Sequence, residues 1–164
     1  MNSYTNTTSS NTAHSAASSK LTSISLKILP WVLSAFCIFV FLRYIPYKFA
    51  PGSQLFQVLE DWAGISWFEP HFRYITGGVE LLACLLLTIP RVQVAGAAVA
   101  LGTMTGAIFF HVFTPLGIDP YNDGAQLFIQ AVGVWFSSII VLYIRRDEIL
   151  PLIKYLVVDP NLQK

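Results

Sequence analysis

The stretch GGVELLACLLLTIP, residues 77–90, contains one carboxyl group, that of Glu80, among mostly apolar residues. A charged side chain near the centre of a bilayer costs about 3 kcal/mol on insertion scales, so an ionisable residue there is by default a hypothesis for a functional site. We therefore interpret Glu80 as a proton-carrying or ligand-binding group. The alternative is a protonated glutamic acid that fixes helix packing. In either case Ser34, Thr103 or Thr105 is the expected hydrogen-bond partner.

His111 is the second candidate for handling protons. At 1.5 Å per residue it lies roughly 13 Å further out than Glu80, so a direct pair between them is not expected. Several polar and aromatic side chains fall at the depth of His111, which predicts an outward-facing electropositive pocket with Glu80 at its floor. The predicted ligand-binding residues are Arg43, Tyr44, Arg73, Glu80, Thr103, His111, Gln126 and Gln130.

Each of these residues also has a purely structural interpretation. Arginines at helix ends commonly snorkel to the interface or set the topology, as Arg43 and Arg73 would. A histidine at a helix end, such as His111, is often simply interfacial. The convergence of several polar groups at one depth is what favours a pocket.

The sequence predicts no metal site and no covalently bound cofactor, and a quinone is the candidate for a cofactor bound without a covalent bond. A lone histidine without two further ligands does not hold a metal. Cys37 and Cys84 lie in apolar runs without C-x-x-C spacing and are interpreted as small core residues. Since nothing resembles a ligand set for haem, flavin or an iron–sulfur cluster, we expect no enzyme activity from the chain alone.

Composition indicates a membrane protein. Of the 164 residues 54% are hydrophobic and only 12% are charged, which is unusual for a soluble domain. The net charge of +1 gives no basic field for nucleic acid, and no P-loop, zinc finger or dinucleotide-binding turn is present. The lipid bilayer is the predicted partner, and nucleic acid is not.

Four apolar segments are long enough to cross about 30 Å of hydrocarbon as helices. They predict an all-α membrane protein, an antiparallel bundle of four transmembrane helices. A disordered polar tail is predicted for residues 1–23, the membrane domain for 24–145 and a cytoplasmic amphipathic segment for 146–164. The four segments are about 25–45, 72–90, 92–113 and 124–144.

A short helix at the outer interface is predicted between the first two spans. The sequence SQLFQVLEDWAG places Leu55, Val58, Leu59 and Trp62 at the spacing of one helix face.

Lysine and arginine near the helix ends predict the orientation, because cytoplasmic loops carry more of them. Both termini are therefore expected on the cytoplasmic side of the inner membrane. The cytoplasmic set is Lys20, Lys27, Arg91, Arg145, Arg146 and Lys154, against Arg43, Lys48 and Arg73 outside.

Small residues predict where the second and third spans pack. G-x-x-x-G spacing permits close helix approach and favours packing within the bundle, although it also supports homo-oligomers. The predicted packing residues are Gly77, Gly78, Gly96, Ala100, Gly102 and Gly106.

Several fragments in this order resemble the DoxX-like family of small bacterial four-helix membrane proteins. They are YKF at 47–49, FEP at 68–70, GGVELLACLLLTIP at 77–90, GAAVALGTMTGAIFFH at 96–111, LGI at 116–118 and DGAQLF at 123–128. The resemblance runs from about residue 28 to 148 and departs at 50–52, where Ala-Pro-Gly replaces an expected Thr-Gly. It implies the fold and an association with membrane oxidoreductase assemblies.

Three functional hypotheses follow. The first is an accessory subunit of quinone-linked membrane redox chemistry, in which the pocket holds a quinone headgroup and a membrane or peripheral oxidoreductase is the partner. The second is a non-catalytic scaffold or assembly chaperone. The third is a small-solute transporter, which is less favoured because no broken helices or paired half-spans occur.

Overall fold

The computed structural model describes residues 5–149, with side chains from residue 26 onward. This part of the chain is helical and contains no strand, which confirms the predicted all-α class. The helices are α1 Thr5–Phe49, α2 Gln54–Ala63, α3 Arg73–Thr88, α4 Gln93–Phe113 and α5 Gln126–Ile144, with a π-helical turn at Phe68–Phe72 and a 3₁₀ turn at Arg146–Glu148.

Three of the described helices are long and apolar enough to cross a membrane: Leu26–Phe49 of α1, Gln93–Phe113 and Gln126–Ile144. The predicted span at 72–90 forms α3, which has 16 residues. At 1.5 Å per residue α3 is about 24 Å long, short of a full hydrocarbon core. Helix α3 is therefore shorter than a full membrane span, whereas the helices at the other three predicted spans are long enough to cross.

The four long helices form a closed ring of contacts. Helix α1 packs against α3 and α5, and α4 packs against the same two helices. We call the end with the α3–α4 connection, residues 89–92, the hairpin end, and the end with α2 and the α4–α5 connection the loop end. Core residues include Cys37, Phe41, Ala83, Leu87, Ala97, Ala100, Val134 and Val141.

Both predicted terminal segments reach beyond the described part of the chain. Helix α1 begins at Thr5, inside the segment 1–23 for which the sequence predicts a disordered tail. Residues 1–4 lie outside the described residues, and so does most of the predicted amphipathic segment 146–164, of which the structure describes 146–149.

Helix α2 forms where the sequence predicts a short helix, and Gly64 ends it in the left-handed conformation with its N–H bonded to the Glu60 carbonyl oxygen at 2.8 Å. Its buried residues are Phe56 and Leu59. Of the predicted apolar face, Leu59 is buried within the protein, whereas Val58 and Trp62 lie on its surface. Phe56 packs edge-on against Phe72, 6.1 Å between ring centroids, and so the buried face of α2 includes a residue outside the predicted set.

Candidate functional site

A cavity of about 720 Å³ lies among α1, α3, α4 and α5 at the loop end, with α2 contributing to its wall. Most of its lining is apolar. The polar and ionisable lining residues are Arg43, Tyr44, Tyr47, Lys48, Ser53, Thr76, Glu80, Thr103, His111, Tyr121, Asp123 and Gln126.

The cavity brings together six of the eight predicted ligand-binding residues. Arg43 and Tyr44 come from α1, Glu80 from α3, Thr103 and His111 from α4, and Gln126 from α5.

The other two predicted residues lie elsewhere. Arg73 and Gln130 do not line the cavity. The Gln130 side-chain oxygen is buried without a hydrogen-bond partner among the described residues.

Glu80 forms an ion pair with Lys48 inside the cavity. The Lys48 Nζ contacts Glu80 Oε1, and Glu80 is only 2% exposed while the Lys48 side chain is 20% exposed. The second carboxylate oxygen, Oε2, is buried and has no partner among the residues that the structure describes. Among the described residues, Lys48 is therefore the partner of only one of the two Glu80 carboxylate oxygens.

The expected hydrogen-bond partners of Glu80 were wrong. The hydroxyl of Thr103 donates to the Val99 carbonyl at 2.9 Å, and that of Thr105 donates to Leu101 at 2.8 Å. Threonines inside a helix commonly bond to the carbonyl four residues earlier.

Ser34 lies at the other end of the bundle from Glu80. Its hydroxyl accepts a hydrogen bond from the Gln93 Nε2 at 2.8 Å, at the start of α4. Helix α1 continues to Phe49 and so carries Lys48 to the level of α3 where Glu80 lies. The sequence interpretation treated Lys48 only as an orienting charge, and for this reason it missed the Lys48–Glu80 pair.

His111 has a fixed orientation at the cavity wall. Its Nδ1 lies 2.6 Å from the Gly117 carbonyl oxygen, and its ring packs edge-on against Phe128. Because a carbonyl oxygen only accepts hydrogen bonds, Nδ1 carries the proton and the Nε2 of a neutral ring is an acceptor. His111 and Glu80 share the cavity without a direct hydrogen bond between them.

Arg73 is a structural tie at the loop end. Its side chain is 1% exposed, and its Nε donates to both carboxylate oxygens of Glu69, at 2.9 and 2.7 Å. Its Nη1 donates to the carbonyl oxygens of Lys48 and Ala50. Arg73 therefore joins the start of α3 to the end of α1. The Glu69–Arg73 spacing of four residues is that of a helical ion pair, but Glu69 has an extended backbone, so the pair depends on the turn before α3.

Two of the predicted packing glycines mark close approaches. A Cβ on Gly96 would lie 2.7 Å from the Leu87 backbone nitrogen, so α3 and α4 nearly touch there. A Cβ on Gly77 would lie 3.0 Å from the Phe49 ring.

The other small residues do different things. Ala100 is fully buried in the core. Gly78, Gly102 and Gly106 have nothing within 4 Å of the position that a Cβ would occupy, and the last two line the cavity instead of packing against a neighbour.

The α4–α5 connection closes the loop end through Asp119. Its carboxylate accepts the backbone N–H of Asp123 at 3.0 Å and of Gly124 at 3.2 Å. Desolvation acts to raise the pKa of Asp119, but the backbone donors outweigh it, and the pKa is lowered. Desolvation and the nearby charge of Asp123 raise the pKa of Tyr121, which lines the cavity.

Cys37 and Cys84 are both buried and free. Within residues 26–149, no group of three histidine, cysteine or acidic side chains is placed to hold a metal ion.

Comparison with known proteins gives one family. The model of the DoxX-like family matches residues 32–117, just over half of the chain. No curated protein and no solved structure matches.

Proposed function

Because this chain belongs to the DoxX-like family, we propose that it is a four-span antiparallel membrane protein that binds a quinone and serves quinone-linked redox chemistry as an accessory. The bacterial inner membrane is its proposed location, with both termini cytoplasmic. The electrons would come from a membrane or peripheral oxidoreductase partner, since no redox centre is predicted from the sequence.

The observation that carries this proposal is the unpartnered Oε2 of Glu80 in an otherwise largely apolar cavity. The volume, about 720 Å³, lies within the range of small-molecule sites. A quinone headgroup, which is an apolar ring that carries polar oxygens, suits such a lining. A quinol hydroxyl can donate to Oε2, and a quinone carbonyl can accept from a protonated Glu80 or from Lys48.

The four-span arrangement is supported by contacts at both ends of the bundle. At the hairpin end Ser34 meets Gln93, and the Arg145 guanidinium lies 5.7 Å from the centre of the Trp31 ring. At the loop end Lys48 meets Glu80. Helices α1 and α5 therefore run in opposite directions, as do α3 and α4.

The test is native mass spectrometry of the protein in mild detergent, comparing wild type, Glu80→Gln and Glu148→Gln. The last variant is the matched control, because Glu148 pairs with Arg145 on the surface at the hairpin end. We expect a quinone-sized adduct on wild type and on Glu148→Gln that is lost from Glu80→Gln. Circular dichroism checks that all three keep the same helix content.

A different outcome would favour the scaffold hypothesis. If wild type carries no small molecule, and a protein partner is retained equally by wild type and Glu80→Gln, the quinone proposal fails. Glu80 would then be a packing residue held by Lys48.

A further inference from the structure

The wall between α3 and α4 is closed near both of its ends. At the hairpin end, Gly96 lets the α4 backbone approach Leu87 so closely that a Cβ would lie 2.7 Å from its nitrogen. At the loop end, the Phe110 ring packs edge-on against Phe72 and Phe68, with centroids 6.0 and 5.9 Å apart. These two contacts are about 21 Å apart along α4 at 1.5 Å per residue.

Between the two contacts, two of the α4 residues that line the cavity are glycines and present no side chain. Gly102 and Gly106 have nothing within 4 Å of where a Cβ would stand, and both line the cavity. On α3 the cavity is lined at this level by Ile75 and Val79, and Ile75 is 48% exposed. The cavity therefore reaches the outer surface of the bundle through a gap, which we call the α3–α4 window and define by Ile75, Val79, Gly102 and Gly106.

We infer that the α3–α4 window is a lateral portal through which the apolar tail of the ligand passes from the cavity into the lipid. This inference rests on the proposed function and names the ligand class further: a ring with a long hydrocarbon tail. Helical backbone at the two glycines has its polar groups bonded within α4, so a hydrocarbon chain can lie against it without stranding a donor or acceptor.

A second observation at the same cavity identifies which end of the ligand lies inside. The unpartnered Oε2 of Glu80, on a residue 2% exposed, offers a polar contact that a hydrocarbon tail cannot use. The ring therefore belongs at Glu80 and the tail at the window. Glycine spacing alone would equally suit contact with a second copy of the chain.

The experiment compares two probes in lipid nanodiscs: a benzoquinone with a long alkyl tail, and the same ring with a methyl group in place of the tail. Binding is titrated by native mass spectrometry for wild type, Gly102→Leu, Gly106→Leu and the control Gly78→Leu. Gly78 also has open space at its Cβ position but does not line the cavity. Melting temperature and oligomeric state are measured for every variant.

We expect Gly102→Leu and Gly106→Leu to weaken the binding of the tailed quinone at least about tenfold, which is equivalent to about 1.4 kcal/mol in binding free energy. The tail-less ring should bind within about twofold of wild type, and Gly78→Leu should bind both probes normally. Gly102→Ala and Gly106→Ala should show smaller losses in the same direction. They supply the comparison if a leucine variant fails to fold.

Several results would overturn the portal. Unchanged affinity for both probes would show that no tail passes the window. Equal loss of both would place the glycines at the ring site, and conversion of a dimer to a monomer would assign them to an interface between copies. A wild-type protein that binds phospholipid in preference to either quinone would also reject this ligand class, whereas one that binds nothing would reject the proposed function itself.

Discussion

The two ends of the bundle are held together by different forces. At the hairpin end, Gly96 brings the α3 and α4 backbones together, and small side chains such as Ala83, Ala97 and Ala100 are fully buried. At the loop end the centre is a cavity, and the helices around it are joined by charged groups. Close packing leaves no room for a ligand, so a membrane bundle that encloses a site must replace lost packing with other contacts.

Those contacts at the loop end are ion pairs and their hydrogen bonds. Arg73 ties α3 to Glu69 and to two carbonyls at the end of α1, and Lys48 ties α1 to Glu80. Among the described residues, fewer charged contacts occur at the hairpin end, where Arg145 pairs with Glu148 on the surface. The comparison predicts that removing a charged side chain destabilises the loop end, and that adding side-chain volume destabilises the hairpin end.

The largest expected effect is from Arg73→Met. Removing one partner of a buried ion pair strands the other, and here Glu69 and two carbonyl oxygens also lose their donor. We expect a loss of about 3 kcal/mol in the free energy of unfolding. Thermal unfolding in detergent measures it, with Arg43→Met as the control, since Arg43 is an exposed arginine of the cavity. Equal effects of the two variants would contradict the role of Arg73 as a tie.

Adding one methyl group to α4 should change the stability of the protein in opposite directions at Gly96 and at Gly102. Gly96→Ala forces a Cβ to 2.7 Å from the Leu87 nitrogen, so overpacking should cost about 1–3 kcal/mol. Gly102→Ala meets nothing within 4 Å and should gain up to about 1 kcal/mol, because alanine loses less entropy in a helix. Chemical or thermal unfolding of both variants gives the comparison. Equal destabilisation by both would mean that the window is packed.

The Lys48–Glu80 pair should show a smaller but specific coupling. We expect Lys48→Met and Glu80→Gln each to destabilise the protein, and the double variant to cost about 1 kcal/mol less than their sum. The coupling is modest because Lys48 is 20% exposed and is partly screened. Unfolding of the four proteins in this cycle measures it, and strict additivity would show that the pair contributes no net stability.

The helices could be predicted from the sequence because hydrophobic length and periodicity determine them locally. Helix α2 was found in this way, although its inward face depends on the contact of Phe56 with Phe72, which no periodicity reveals. The short α3 could not be predicted from hydropathy. Of the predicted span 72–90, Phe72 belongs to the π-helical turn, and Ile89 and Pro90 belong to the connection to α4, although all three residues are apolar.

The candidate site was predicted by residue type but not by partner. Depth counting predicts that Glu80 lies within a turn of Ser34, whereas the extension of α1 to Phe49 brings Lys48 to Glu80 instead. Glycine spacing also has two structural outcomes, because Gly96 marks a contact while Gly102 marks a gap. Only the relative position of α3 and α4 distinguishes them, and that is a property of the folded protein.

The smallest expected effect concerns acid at the loop end. The lowered pKa of Asp119 means that its carboxylate is favoured by the fold, through the N–H groups of Asp123 and Gly124. This stability is present above the ordinary aspartate pKa of about 4 and is lost as the pH falls through the lowered value. Asp119→Asn should therefore flatten the low-pH fall in melting temperature. The control Asp61→Asn, on an exposed position of α2, should retain it, and identical profiles for all three proteins would contradict the role of Asp119.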